Sequence, residues 1–289
     1  MQPRLGVFGG SGLYRVEELR DVEERRIETP YGSPSDAIVL GKLNGTPVAF
    51  LARHGRGHRI SPTEINYRAN VWAMKSLGVE FVLSASAVGS LDGTVEPLHV
   101  VVPDQFIDRT RHRADTFFEN GVVAHVSLAD PFCAELSRLA AEGARAAGAV
   151  VHEGGVYVCM EGPQFSTRAE SLMYRALGGR VIGMTNMQEA RLCREAELCY
   201  ATLALVTDFD CWKTDEAPVS VDVVVERLKV NAAHAKAAIA YVAPRLPAAR
   251  NCACARALET AVITARRAIP AEAIAKLGPI ASRVLGDGE

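Results

Sequence analysis

Short apolar runs alternate with amphipathic stretches along the chain to about residue 245, the pattern of an α/β protein. Strands are predicted over residues 5–8, 37–40, 47–51, 81–87, 99–102, 150–158, 181–184 and 201–207. Helix starts carry recognisable caps. Ser61-Pro62-Thr63-Glu64 reads as a capping box with Pro at the first helical position, opening a helix to about Leu77. Thr167-Arg168-Ala169-Glu170 is a second box, and Asn186-Met187-Gln188-Glu189 a third candidate. Asp130 and Pro131 open a helix to about Gly148, and Pro218 and Ser220 precede a long one through Val242. The Ala- and Arg-rich residues after Pro244 and Pro247 predict two short helices and a frayed tail. No repeat, low-complexity tract or linker interrupts the pattern. A single domain over residues 1–289 is expected, with a C-terminal helical tail from about residue 245 to 289.

Composition narrows the function classes. With 48% hydrophobic and 23% charged residues the core is not limiting. A net charge of −2 gives no global basic field, so no nucleic-acid partner is expected, and an anionic ligand must be held by local donors. No stretch is apolar over a membrane-spanning length, so no membrane partner is expected. Residues 1–8 run straight into a strand pattern without a signal peptide, and a cytoplasmic location is expected. Seven scattered cysteines fit buried thiols in a reducing compartment. Cys252-Ala253-Cys254 could chelate a metal or form a strained disulfide, but no second cluster completes a zinc site in the sequence, and no metal is expected.

The candidate chemistry gathers at predicted strand ends. The apolar run 200–206 ends in Thr207-Asp208-Phe209-Asp210-Cys211-Trp212. A carboxylic acid at the wet end of a dry strand is placed for a raised pKa and for sharing a proton; equally, the Asp pair could cap the next turn. Gly6-Val7-Phe8-Gly9-Gly10-Ser11-Gly12 follows the first strand, as a phosphate nest or a tight turn. Its spacing is neither a dinucleotide fingerprint nor a P-loop. Arg53-His54-Gly55-Arg56-Gly57-His58 places Arg and His between glycines, an anion cradle or a solvated basic turn. Ser86-Ala87-Val88-Gly89-Ser90 ends a strand in small residues against which a ligand could lie. Phe165, in a rigid loop, is a candidate platform for a flat ring or a core residue. Met184 and Thr185 end another strand, beside a ligand or as packing and a helix cap. Carboxyl ends of strands are where open α/β sheets bind ligands. Anion donors, a ring platform, an apolar patch and an acid together fit glycosyl transfer between a flat base and phosphate.

Six segments resemble, in order across about residues 4 to 245, the trimeric purine nucleoside phosphorylase family and within it the S-methyl-5'-thioadenosine phosphorylases. They are Gly9-Gly10-Ser11-Gly12-Leu13, residues 29–36 (TPYGSPSD), residues 51–56 (LARHGR), residues 104–110 (DQFIDRT), residues 161–170 (EGPQFSTRAE) and residues 207–213 (TDFDCWK). The resemblance implies a central twisted mixed sheet flanked by helices, a homotrimer, and no organic cofactor, with inorganic phosphate as co-substrate. It implies that Ser11, Arg53, His54 and Ser86 hold phosphate. Ala87, Phe165, Ile182, Met184 and Thr185 would line the base and ribose pockets, with Asp208 facing N7 and Asp210 the 6-amino group. Val221, Val224 and Val225 would line the pocket for the 5' substituent, and His125 would reach in from a neighbouring subunit.

An acid at 208 and a small hydroxyl at Ser166 favour a 6-aminopurine, because a carboxyl accepts from an exocyclic amine and a mismatched buried polar pair costs about 1–3 kcal/mol. An apolar 5' pocket favours a methylthio group by roughly 1–2 kcal/mol over a hydroxyl left without a partner. The implied reaction is phosphorolysis of methylthioadenosine in purine and methionine salvage, with Asp208 as the catalytic acid. Gly183 and Phe209 depart from the family's Asn and Tyr. Alternatives are a phosphorylase of adenosine or methylthioinosine, a hydrolytic nucleosidase, and a non-catalytic nucleoside-binding module.

Overall fold

The computed structural model describes residues 1–10, 13, 19–214 and 221–286, and the side chains of residues 221–224 fall outside that description. The described part is a single α/β unit around one 11-stranded mixed sheet. Its strands are β1 (Leu5–Gly9), β2 (Arg20–Arg25), β3 (Ile38–Leu43), β4 (Thr46–Ala52), β5 (Phe81–Ser90), β6 (Val100–Val102), β7 (Gln105–Arg109), β8 (Val151–Glu153), β9 (Val156–Met160), β10 (Gly179–Gly183) and β11 (Cys199–Asp208). The order is β2-β3-β4-β1-β5-β10-β9-β7, while β11 pairs with β5 and β6, and β6 with β8.

The hub is β5. Its ten residues are small or apolar on both faces, as a strand covered on both sides requires. Its first half runs parallel to both β1 and β11, and its last residues pair antiparallel with β10. Because β4, β1, β5 and β11 are parallel, the registers Gly9↔Ala52, Gly9↔Ala85 and Val206↔Val88 bring their carboxyl ends to one edge. Helices cover both faces. On one, α1 (Tyr67–Ser76) and α4 (Asn186–Glu195) share an apolar cluster that includes Val71, Met74, Leu192 and Tyr200. On the other, α2 (Ala134–Ala146) packs against α5 (Val221–Val242). A Cβ on Gly143 would lie 2.9 Å from Ala238 O, so this glycine sets how closely those two helices cross.

Several elements differ from the sequence-based expectation, each for a local reason. Residues 61–64 do pair, Ser61 Oγ and N–H donating to Glu64, but in a turn. The α1 cap is Asn66, whose side chain accepts from the Ala69 N–H. The Thr167–Glu170 box forms in full and opens α3 (Arg168–Ala176). The third box does not form: Thr185 is the N-cap of α4, and Glu189 turns inward to Arg53. The run over residues 150–158 is two strands, because Gly154 and Gly155 turn the chain at φ +74° and +102°. The polar β2 and short β7 escaped the apolar pattern; both are held by ladders to a neighbouring strand.

The C-terminal segment carries α6 (Ala271–Leu277) and α7 (Ser282–Leu285), the two short helices expected. It is packed through Leu285: Leu258, Ile269, Leu277, Ile280 and Leu285 are buried in the same cluster as α1 and α4, and the last three residues of the expected frayed tail lie outside the described residues. The Trp72 indole N–H donates to Leu277 O at 3.2 Å. No helix among the described residues is long and apolar enough to cross a membrane.

Candidate active site at the carboxyl edge of the sheet

A cavity of about 510 Å³ opens where the parallel strands end. Gly10, Arg53 and His54 line it just after β1 and β4, and Ser86 from within β5; Ile182, Met184 and Thr185 at and after the end of β10; Asp208 and Asp210 at and after the end of β11. Phe165 enters from the loop before α3 and Val225 from α5. All the expected site residues meet in this one cavity except four. Ser11 and the side chains of Val221 and Val224 lie outside the described residues. His125 is exposed, away from the cavity, and its N–H donates to Ala261 O at 2.9 Å.

One end is built for an anion. Arg53 is 1% exposed, and its guanidinium is largely committed. Nε donates to Glu189 at 2.5 Å, and Nη2 has Glu189, Ser84 Oγ and Phe8 O within 3.2 Å. Nη1 spends one hydrogen on Ala85 O at 2.8 Å. Of five N–H bonds, one Nη1 hydrogen is left for the cavity. The guanidinium grips Glu189 and ties the end of β1 to the middle of β5. The Gly10 N–H is likewise spent on Ala85 O at 3.2 Å, so it adds no donor to a nest. Arg56 pairs with Asp36 and Glu24 and does not line the cavity.

His54 is buried, and its Nδ1–H donates to Ile60 O at 2.9 Å. The tautomer follows from the carbonyl partner and leaves Nε2 with a lone pair. Burial first, and then the Arg53 charge, push the imidazole down to about 3. With no anion beside it the ring is neutral. His58 stacks on it with centroids 4.2 Å apart. The Ser86 hydroxyl lies 3.5 Å from the buried Tyr157 hydroxyl.

The other end carries the acids. Asp208 accepts from the Thr207 hydroxyl at 2.7 Å and from the Asp210 N–H at 2.8 Å. Thr207 Oγ1 also lies 3.2 Å from Val88 O. Its single hydrogen can therefore point to a charged Asp208, or to Val88 O while its oxygen accepts from a protonated Asp208. A Cβ on Gly89 would lie 2.9 Å from Asp208 Oδ1, so the glycine makes room for the acid. Asp210 accepts from the Ser171 hydroxyl, and burial raises its pKa. From α5, Arg227 donates to Thr207 O at 2.6 Å and Asn231 to Val206 O at 2.9 Å, which fixes the end of β11.

Between the ends the wall is apolar: Met160, Pro163, Phe165, Ile182, Met184 and Leu228. Phe165 is 49% exposed, a ring facing the opening rather than a core residue. Arg113, a residue the sequence did not mark, fastens this wall. Its guanidinium donates to Glu161, to the carbonyls of Glu161 and Met184, and to Gln188. Ser166 does not line the cavity; its hydroxyl faces Met160 Sδ at 3.6 Å. At Gly183, a Cβ would lie 1.9 Å from the Tyr157 hydroxyl, which fills the space a larger residue would need. The sequence also missed His58 and Leu228; the only signal was His58's place in the Arg/His/Gly run.

A model of the phosphorylase superfamily matches residues 4–243. The S-methyl-5'-thioadenosine phosphorylase of Geobacter sulfurreducens is 56% identical over 94% of this chain and 96% of its own. That of Koribacter versatilis is 52% identical over 99% and 98%. A methylthioadenosine phosphorylase crystal structure from an antarctic soil metagenomic library superposes with a TM-score of 0.91 at 49% identity, covering 96% of this chain and 98% of the other. The Schistosoma mansoni methylthioadenosine phosphorylase, in complex with adenine, gives 0.84 at 36% identity, covering 89% and 96%. With the match spanning the whole sheet and the cavity at its edge, the chain belongs to the phosphorylase superfamily, among relatives that bear the name S-methyl-5'-thioadenosine phosphorylase.

Proposed function

We propose that the chain phosphorolyses S-methyl-5'-thioadenosine to adenine and 5-methylthioribose 1-phosphate. One observation carries the reading: anion donors and paired carboxyls sit at opposite ends of one cavity with an apolar wall between them. The relatives' names, at 51–56% identity, support the same substrate.

Phosphate lies against Ser86, His54 and the remaining Arg53 hydrogen, with Ser11 as a further hydroxyl. The neutral His54 Nε2 accepts from a P–OH group. A phosphate oxygen attacks C1' as the C1'–N9 bond breaks, and the bonding pair moves onto the purine. Asp208 gives a proton to N7 and so relieves that charge. The Thr207 hydroxyl, with two acceptors in reach, serves either protonation state of the acid. Asp210 takes the 6-amino group on its carboxyl. Ala87, Phe165, Ile182, Met184 and Thr185 hold base and sugar. Val221, Val224 and Val225 take the methylthio group, with Leu228 beside them and His125 supplied by a neighbouring subunit. Positioning and electrostatics account for the rate, and neither metal nor organic cofactor enters the step. A cytoplasmic homotrimer working in methionine and purine salvage completes the proposal.

The test is a panel of methylthioadenosine, adenosine and methylthioinosine with and without phosphate, products identified by mass. The proposal requires phosphate-dependent release of adenine and methylthioribose 1-phosphate, with methylthioadenosine giving the highest kcat/KM. Free methylthioribose formed without phosphate would make the chain a nucleosidase. Binding without turnover would make it a nucleoside-binding module.

A further inference from the structure

The Cys-x-Cys pair that the sequence left without partners acquires two through the fold. Cys133 is the N-cap of α2, Cys199 the first residue of β11, and Cys252 and Cys254 flank the start of a 3-10 turn in the C-terminal segment. All four sulfurs lie within 4.8 Å of one another. Cys133, Cys199 and Cys254 are buried and Cys252 is partly exposed; all are free thiols. From these positions we infer that Cys133, Cys199, Cys252 and Cys254 form a tetrathiolate site for a soft divalent cation, with Zn²⁺ the chemical match.

The dimensions fit. Four sulfurs about 2.3 Å from a zinc ion stand about 3.8 Å apart in a tetrahedron, inside the spread observed here. Apolar packing alone does not need four sulfurs converging from three separate elements. Four thiolates around Zn²⁺ carry a net double negative charge, which the surroundings oppose. Cys133 sits at the positive end of a 13-residue helix.

Four protein ligands leave no open position, so the site is structural and not catalytic. It lies at the opposite end of β11 from Asp208, about 30 Å away at the usual strand rise. Its effect is to tie the start of the C-terminal segment to α2 and β11.

The test uses the full chain, expressed with added zinc and purified anaerobically with a thiol reductant. Metal per chain is measured by plasma mass spectrometry, and reactive thiols are counted before and after denaturation. The inference requires about one zinc per chain, retained through dialysis against a weak chelator. It also requires loss of that zinc in Cys252→Ser and Cys254→Ser, retention in Cys159→Ser, and a tetrahedral thiolate spectrum on cobalt substitution. The partly exposed Cys252 makes Cys252→Ser the milder variant, and circular dichroism checks its fold. A chain without zinc and with seven free thiols would overturn the site. So would a chain whose four clustered cysteines are joined as disulfides.

Discussion

Removing Glu189 tests the reading that Arg53 is first a structural residue. Both side chains are buried, at 1% and 3% exposure, and Glu189 faces the Arg53 Nε and Nη2. It also accepts from the buried Tyr200 hydroxyl at 2.8 Å. Glu189→Ala leaves a guanidinium charge uncompensated in the core and a phenol without its acceptor. Breaking a buried pair from one side costs about 3–5 kcal/mol. Unfolding entropy scales at about 2.1 cal/mol/K per residue, or about 0.6 kcal/mol/K for this chain, so Tm should fall by about 5–8 °C. Arg53→Met/Glu189→Leu removes both charges together. It should recover part of that loss, short of full recovery because Ala85 O and Phe8 O lose a donor, while raising the KM for phosphate. Thermal and urea melts beside phosphate-dependent kinetics read both effects. A loss under about 1 kcal/mol in Glu189→Ala, or a double variant as unstable as the single one, would refute the assignment.

Asp208→Asn removes the proton given to N7 and should lower kcat by roughly 10²–10⁴ while leaving the KM for phosphate nearly unchanged; steady-state kinetics decide, and an unaltered kcat removes Asp208 from the mechanism. Gly183→Ala drives a methyl into the Tyr157 hydroxyl and should cost about 1–3 kcal/mol, measured by urea melts. Tyr157→Phe should not relieve it, since Tyr157 Cζ lies only 2.6 Å from the added Cβ, whereas Tyr157→Val should. Burial raises the Glu195 carboxyl to about 7. The folded protein therefore keeps a proton that the unfolded chain releases near pH 4.5, and this contribution to stability fades as pH rises from 4.5 to 7. Relative to Glu195→Gln, the parent chain should lose about 3 kcal/mol across that window in urea melts, and parallel pH curves would contradict the burial argument.

How far the sequence carried depended on whether the signal was local. The buried strands were legible because β1, β5 and β11 are apolar on both faces, and the Thr167–Glu170 box because its two partners are three residues apart. Glu189 misled for the opposite reason: it stood where a capping box expects it, but its partner is 136 residues away. Arg53 and His54 were found as cavity residues, yet their states come from Glu189 and the Ile60 carbonyl, which spacing alone does not reveal. Ser166 lies behind the cavity wall, its hydroxyl within reach of both Met160 Sδ and the Asp210 carboxyl. Arg113 carries no motif at all, because it acts on carbonyls that only the folded chain gathers. The cysteine cluster was invisible for the same reason, being split over residues 133, 199, 252 and 254.

The central claim is that the anion donors and the acid pair serve one reaction across a single cavity. A crystal of the chain with sulfate and a non-cleavable methylthioadenosine analogue tests it most directly. The account predicts sulfate oxygens about 3 Å from Ser86 Oγ and Arg53 Nη1, and purine N7 about 3 Å from an Asp208 carboxyl oxygen, with C1' facing the sulfate. Sulfate and analogue in separate cavities, or a purine turned away from Asp208, would contradict it.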